Sequence, residues 1–575
     1  MTTAVRATQP TTCACHASAH LAPLVDHRPV APGPRHRVAR THRRQGPADL
    51  LLVGHFRTMN SLQPTAESIA VRDGVIIGLG NRSDVDALTG PGTRTLDLGD
   101  GIAYPGFVEP HMHYWASATQ DSWVDCTPLG GASFDEIVDK IRQAAPTLGD
   151  WTLGTRYDPS LVPGERELTR DVLDAAVPDR PVLVMNASLH YAYANSKALE
   201  LAGIDEDTPD PGNGGHFVRE NGRLTGALGE LPAISAVVGI LPRRSQEDLL
   251  AGVVAISERA ASRGVVRTHD AGTGMMLGAA EIDLFHAVSD RLDARVSFAI
   301  YDTLLETLAE QGLVAGAGDD KVRAVSLKLI SDGSNQGRSG YQRDNYLGRD
   351  DRGRPNVTTD YMADRIRLAH EHGWQVMVHA NGDAAISSVV DAFAQVLEPG
   401  GGLHLRDRIE HCSFAHDDDL ARMARLGLSP SFLMNHVYHW GRAFADNIVG
   451  PAKAAGLDPV ASALEHGLRP SFHSDYAVTD IDPLRCVQTA VTRRVQDGGA
   501  VLNAGECVTV AQAMAAVTSD AAWQIHADDT NGTLEVGKFA DIAVLSDDPM
   551  TVDPDGIAEI EVLRTMLGGE ITFSR

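Results

Sequence analysis

From residue 245 to residue 480 the chain switches repeatedly between two hydrophobic periods. "SQEDLLAGVVAISERAASRG" is helix-like, with Ser245 as a start signal and Gly264 as a stop, and the strand-like "VVRTHDAG" follows at once. Next come "RAVSLKLISDGS" (strand), "TTDYMADRIRLAHEHG" (helix), "WQVMVHANGD" (strand), "AAISSVVDAFAQVL" (helix) and "DRIEHCSF" (strand). "DDLARMARLG" (helix), "LSPSFLMN" (strand) and "LRPSFHSDYAV" (strand) complete the series. Strands alternating with helices of this length predict βαβ units and a parallel sheet. With "GFVEPHMHYW" upstream, the pattern fits an α/β fold, a (β/α)8 TIM-like barrel, whose chemistry gathers at the C-terminal ends of the strands. A doubly wound open sheet is the alternative, but no Gly-rich phosphate loop follows a strand.

The two ends of the chain have a different texture. "ADLLLVGHFRTMN" and "SIAVRDGVIIGLG" near the start, and "FADIAVLSDDP" and "IEVLRTMLGGEITF" near the finish, are strand-rich, with hairpin signals at Asp73-Gly74 and Gly568-Gly569. Few-stranded sheets are marginal alone, so residues 48–104 and 526–575 are expected to form one small β-sandwich domain together. The barrel then spans 105–525, with an insertion over about 116–255 that is too long for one crossover. That insertion holds a helix signal at Ser133 and Glu136 and the strand-like "PVLVMNASLHYAYANS", and is expected to cover the barrel mouth. Residues 1–47, rich in Pro, Arg and His, lack the apolar core of a secretory signal. They are expected to be a disordered leader, and "CACHASAH" is read as part of it rather than as a metal tract.

Composition narrows the partners. A net charge of −26 argues against nucleic acid or an anionic membrane surface, and leaves a small-molecule substrate. No apolar run reaches the roughly 18 residues of a membrane span. Six cysteines without a repeating spacing point to a reducing cytoplasm and not to a disulfide framework.

Polar residues close the strands of the barrel pattern: His111 and His113, Lys328, His379, His411 and Asp475. Residues i and i+2 of a strand share a side, so His111 and His113 point together. In "RAVSLKLI" the same alternation puts Lys328 on the face of Ala324 and Ser326, and a lysine on a buried strand needs a partner. Taken singly, each histidine reads as a hydrogen-bonded structural residue and the lysine as half of an ion pair. Jointly, four His and one Asp at four strand ends would converge on one cavity as N/O ligands for Zn2+ or a similar divalent ion.

The same segments resemble the metal-dependent amidohydrolase superfamily and, within it, amidohydrolase family 3, the YtcJ-like and N-substituted formamide deformylase-like group. "PGFVEPHMH" is similar to the family's PGF-I/V-D-x-H-x-H, "VSLKLISDGS" to its K-to-DGS strand, and "VHANGDAAI" to HA-x-GD-x-AI. "RIEHC", "HSDYAVTDIDPL" and "GTLEVGKFADIAVLSDDP" match further family segments in order. Glu109 where Asp is usual, Pro110, Tyr476-Ala477 and "GSNQGRSGYQ" depart from the pattern without removing a ligand.

The resemblance implies that His111, His113 and Asp475 hold one metal and His379 and His411 a second, with a carboxylated Lys328 between them. Two metals are favoured if that lysine is carboxylated. It implies an amidohydrolase cleaving a non-peptide C–N bond, most simply a linear amide or an N-acyl or N-formyl group. Metal-activated water would attack the carbonyl, with Asp475 as general base and then acid. Trp115, His190, Arg338, His436, His439 and Trp440 are candidates for substrate contact. A homodimer is expected of such barrels. The alternatives are a hydrolytic deaminase of a small aminated heterocycle and a catalytically inactive binding protein.

Overall fold

The computed structural model describes residues 25–26 and 46–575 other than 190, 213–214 and 497–498. Nearly all of the 1–47 leader, with its Cys/His tract, and the candidate His190 therefore lie outside the described residues. Eight parallel strands form the central sheet in chain order: Phe107–Met112, Val265–Thr273, Arg295–Tyr301, Val322–Ile330, Gln375–Ala380, Arg408–His411, Ser429–Phe432 and Ser471–Phe472. Helices including Gln246–Ser262, Thr359–Glu371, Asp383–Ala394 and Asp417–Leu426 carry the connections, giving a nearly closed TIM-like barrel. The seam between the first and eighth strands is stitched just above them. Asp475 N–H donates to the His111 carbonyl (3.2 Å) and His113 N–H to the Tyr476 carbonyl (2.9 Å).

The third strand, Arg295–Tyr301, is absent from the reading of the sequence. It is followed only by a 3-10 turn and the six-residue helix Leu305–Glu310, so the strand–helix beat is too weak there to mark it. The start and stop signals elsewhere are real. Ser245 Oγ accepts from Asp248 N–H at 3.0 Å. Gly264 (φ +78°) ends that helix where an added Cβ would lie 3.0 Å from the Phe107 ring.

Both chain ends contribute to one seven-stranded sheet. The long strand Arg94–Pro105 joins them, pairing with Leu50–Arg57 on one side and Ile542–Leu545 on the other. The hairpins fall at Asp73-Gly74 and Gly568-Gly569, where all four residues have positive φ. Leu52, Ile69, Ile76, Ile542, Val544 and Met566 form its core. Asp541 fastens this sheet to the barrel, accepting from the Arg295 guanidinium at 2.7 and 3.1 Å in a buried, two-point ion pair.

Within the 116–255 stretch, a six-stranded sheet spans Val124 to Gly229, and the helix Glu230–Val238 follows it. The helix Phe134–Gln143 opens on the reciprocal Ser133–Glu136 box. This unit sits at the C-terminal end of the barrel, since Met185, Leu189, Ile234 and Val238 line the cavity there. No helix among the described residues is long and apolar enough to cross a membrane.

Candidate metal centre and active site

Closing the barrel brings together all six residues singled out at the strand ends. His111 Nε2 and His113 Nε2 lie 3.4 and 3.3 Å from the same oxygen of Asp475, and the three donor atoms sit within 4.8 Å of one another. Lys328 Nζ is 3.3 Å from His111 Nε2. His411 Nδ1 is 4.0 Å from the other Asp475 oxygen, and the His379 ring centre is 4.4 Å from that of His411.

The donor set fits divalent cations. Among the described residues neither ring nitrogen of the buried His411 has a hydrogen-bond partner, an arrangement costly for an imidazole unless a ligand takes its lone pair. Burial, reinforced by neighbouring positive charge, pushes His111 and His411 well below the usual histidine range, so both are neutral and able to coordinate. For Asp475, burial pulls upward, but the hydrogen bond and charge of His113, then His473 and Lys328, outweigh it. Its carboxyl is held well below the ordinary range, as an anion. The imidazole nitrogens of His111 and His113 and a carboxylate oxygen around one gap match an N/O-ligated site.

Partners behind these residues aim them. His111 Nδ1–H donates to Glu410 Oε2 at 2.6 Å, leaving Nε2 to face Asp475, and Arg408 pairs with the same Glu410 oxygen at 2.8 Å. Glu109 accepts from Ser474 N–H (3.1 Å), which fixes the turn carrying Asp475, and burial pushes its carboxyl up to about 8. His379 Nε2 lies 3.1 Å from the Gly333 carbonyl and 3.1 Å from Asn381 Nδ2. Asp332 accepts backbone N–H bonds from Tyr341, Asn381 and Gly382 at 2.8–3.0 Å and so ties the fourth-strand loop to the turn after His379.

A cavity of about 130 Å³ opens over the cluster. Trp115 and His436 line it, and both ring nitrogens of the buried His436 lack hydrogen-bond partners among the described residues. The other described candidates for substrate contact are placed outside its lining. Arg338 pairs with Glu165 of the insert (2.6 Å), His439 Nδ1 meets Gln496 (2.8 Å), and Trp440 Nε1–H donates to Asp158 (3.0 Å).

The reading of the sequence does not single out Glu410, Asp332 or His473. His473 stacks on His111 at 4.6 Å between ring centres and stands two residues before Asp475, so the i, i+2 rule that found His113 could have found it. Glu410 and Asp332 give no such signal: His111 is 299 positions from Glu410, and Asn381 and Gly382 are 49 and 50 positions from Asp332. His269, by contrast, is a satisfied structural histidine, hydrogen-bonded to Ser297 (3.0 Å) and Ser326 (2.9 Å) inside the barrel.

A parallel barrel with imidazoles and a carboxylate gathered at the C-terminal ends of its strands defines a metal-dependent hydrolase. Residues 94–573 match the model of the Amidohydrolase family, and the chain belongs to that family. It is 27% identical to the putative amidohydrolase YtcJ of Bacillus subtilis (strain 168), over 91% of this chain and 98% of that protein. It is 26% identical to N-substituted formamide deformylase of Arthrobacter pascens, over 92% of this chain and 98% of that enzyme. Among solved structures, an uncharacterized metal-dependent hydrolase from Pyrococcus horikoshii OT3 has the same fold. It gives a TM-score of 0.70 at 22% identity and covers 88% of this chain and 99% of its own.

Proposed function

We propose that this hydrolase cleaves a non-peptide C–N bond, in a linear amide or an N-acyl or N-formyl group, with Zn2+ as its metal. The observation that carries this reading is Asp475, a buried carboxylate kept ionised beside the imidazoles of His111 and His113 and beside Lys328. When bound, the metal would supply Lewis acidity toward water and toward a carbonyl oxygen. His111, His113 and Asp475 would hold one ion, and His379 and His411 a second. Lys328, carboxylated on Nζ, would offer an anionic oxygen between them, since a free ammonium repels a cation. Asp475 would take a proton from the attacking water and pass it to the departing nitrogen, so that water's oxygen stays on the acyl carbon and the products are an acid and an amine.

Extent of similarity supports the amide reading, since the formamide deformylase matches along nearly its whole length. A deaminase is disfavoured by the turn after His379. Its one carboxylate, Asp383, bonds Lys453 (2.7 Å) and His416 (3.1 Å) and is not among the residues lining the cavity.

Asp475→Asn is expected to retain metal but lose roughly 10³-fold in kcat, because the amide can coordinate but cannot carry the proton. Metal content by elemental analysis and release of acid plus amine from a formamide panel check this. Near-normal turnover in the variant, or ammonia as the product from aminated heterocycles, would overturn the reading.

A further inference from the structure

Apolar surface dominates the cavity, although Gln120, Ser188, Ser235 and Gln336 also line it. Among the described residues the charged side chains lining it are Asp270, Lys328 and Asp475, all at strand ends, while Trp115, Met275, Met276, Ile234 and Val238 supply apolar surface. A charged group on the substrate's far end would lose its water there without gaining a described partner of opposite sign.

Met275 and Met276 sit on a loop held in an unusual way. The second barrel strand ends at Thr273, and the next helix, Ala280–Val288, sends Glu281 back beneath the loop between them. The fully buried Glu281 carboxyl, pushed up to about 8 by burial, accepts from the backbone N–H of Gly274, from Met276 N–H at 2.7 Å and from Leu277 N–H at 2.5 Å. Asp270 fixes the near end. It accepts from Thr273 Oγ1–H (2.5 Å) and from the N–H of Tyr114 (2.7 Å), the residue after His113. Gly272 lets Met275 fold down, since a Cβ there would meet its sulfur at 2.3 Å. Such a clamp leaves the two flexible thioethers a fixed backbone from which to pack.

We propose that the loop Thr273–Ala279 is the specificity wall of this site. Met275 and Met276, with Ile234 and Val238 of the insert, hold an uncharged apolar group of the substrate, and Glu281 is the positioning residue that fixes the methionines. The inference rests on the amide-hydrolase reading above.

Three probes test it on the metal-loaded full chain: N-hexylformamide, 6-formamidohexanoate with a carboxylate at the tail's end, and the tail-less N-methylformamide. Wild type is expected to favour the hexyl compound over the carboxylate by at least about tenfold in kcat/KM. Glu281→Gln places an amide N–H against backbone N–H donors. It should raise KM for N-hexylformamide roughly tenfold, with kcat and N-methylformamide turnover held within about twofold. Met275→Gln, nearly isosteric, should show the same selective loss. A purely structural Glu281 would lower Tm and all three activities in proportion, and an unchanged hexyl-to-methyl ratio in both variants overturns the proposal. If no formamide is hydrolysed, the amide reading fails by itself, and the wall is read from binding. Greater thermal stabilisation by N-hexylformamide than by 6-formamidohexanoate sustains it, and the reverse or equality ends it.

Discussion

The 2.6 Å bond from His111 to Glu410 decides which imidazole nitrogen faces Asp475. Glu410 is fully buried, and its second partner, Arg408, is buried with it. Replacing Glu410 with Gln weakens the acceptor behind the ligand, so metal affinity should fall about 10- to 100-fold, measured by competition with a chelator. Arg408 would also lose its counter-charge, and the metal-free variant should melt earlier than wild type for that reason. Unaltered affinity would remove Glu410 from the site. At this scale much was legible. The His111/His113 spacing and the lysine on a small-residue strand face are local signals, and the structure gathers both at one point. Glu410 is not legible, because nothing within its own strand says that the residue opposite will be His111, 299 positions away.

Elements hold the site through their ends. Asp332, just past the fourth strand, accepts three backbone N–H groups from two loops, one of which follows His379. Asp332→Ala would strand those donors in a buried place and should cost at least about 2 kcal/mol in urea denaturation. Asp332→Asn keeps one acceptor oxygen and should cost less. Equal stability of the alanine variant and wild type would show that water replaces the carboxylate. The elements themselves were legible wherever apolar periodicity met a cap, as at Ser133, Ser245 and Gly264. Strand Arg295–Tyr301 was not, since neither a strong cap nor a long helix brackets it.

In the molecule as a whole, the terminal sheet and the barrel share one buried ion pair. Asp541 accepts from Arg295, from Asn531 Nδ2–H (2.8 Å) and from Gly568 N–H (2.7 Å). Asp541→Ala would leave the Arg295 guanidinium buried without its counter-ion, a loss of about 3–5 kcal/mol. Calorimetry should show one cooperative transition shifted to lower temperature. A wild-type Tm, or two separate transitions, would mean that sheet and barrel are stable independently. That both ends of the chain contribute strands to one sheet was readable from hairpin signals and from the marginal stability of short sheets.

Period, capping and turn chemistry are local properties of the chain. They determined the barrel class, the paired termini and the strand-end positions of His111, His113, Lys328, His379, His411 and Asp475. Tertiary structure alone decided which side chains meet. It placed Trp115 and His436 on the cavity, sent Arg338, His439 and Trp440 to other partners, and set Glu410 and His473 against His111. The reason is physical: a side chain's direction follows from its own strand or helix, but its neighbour depends on how closure brings distant segments into register.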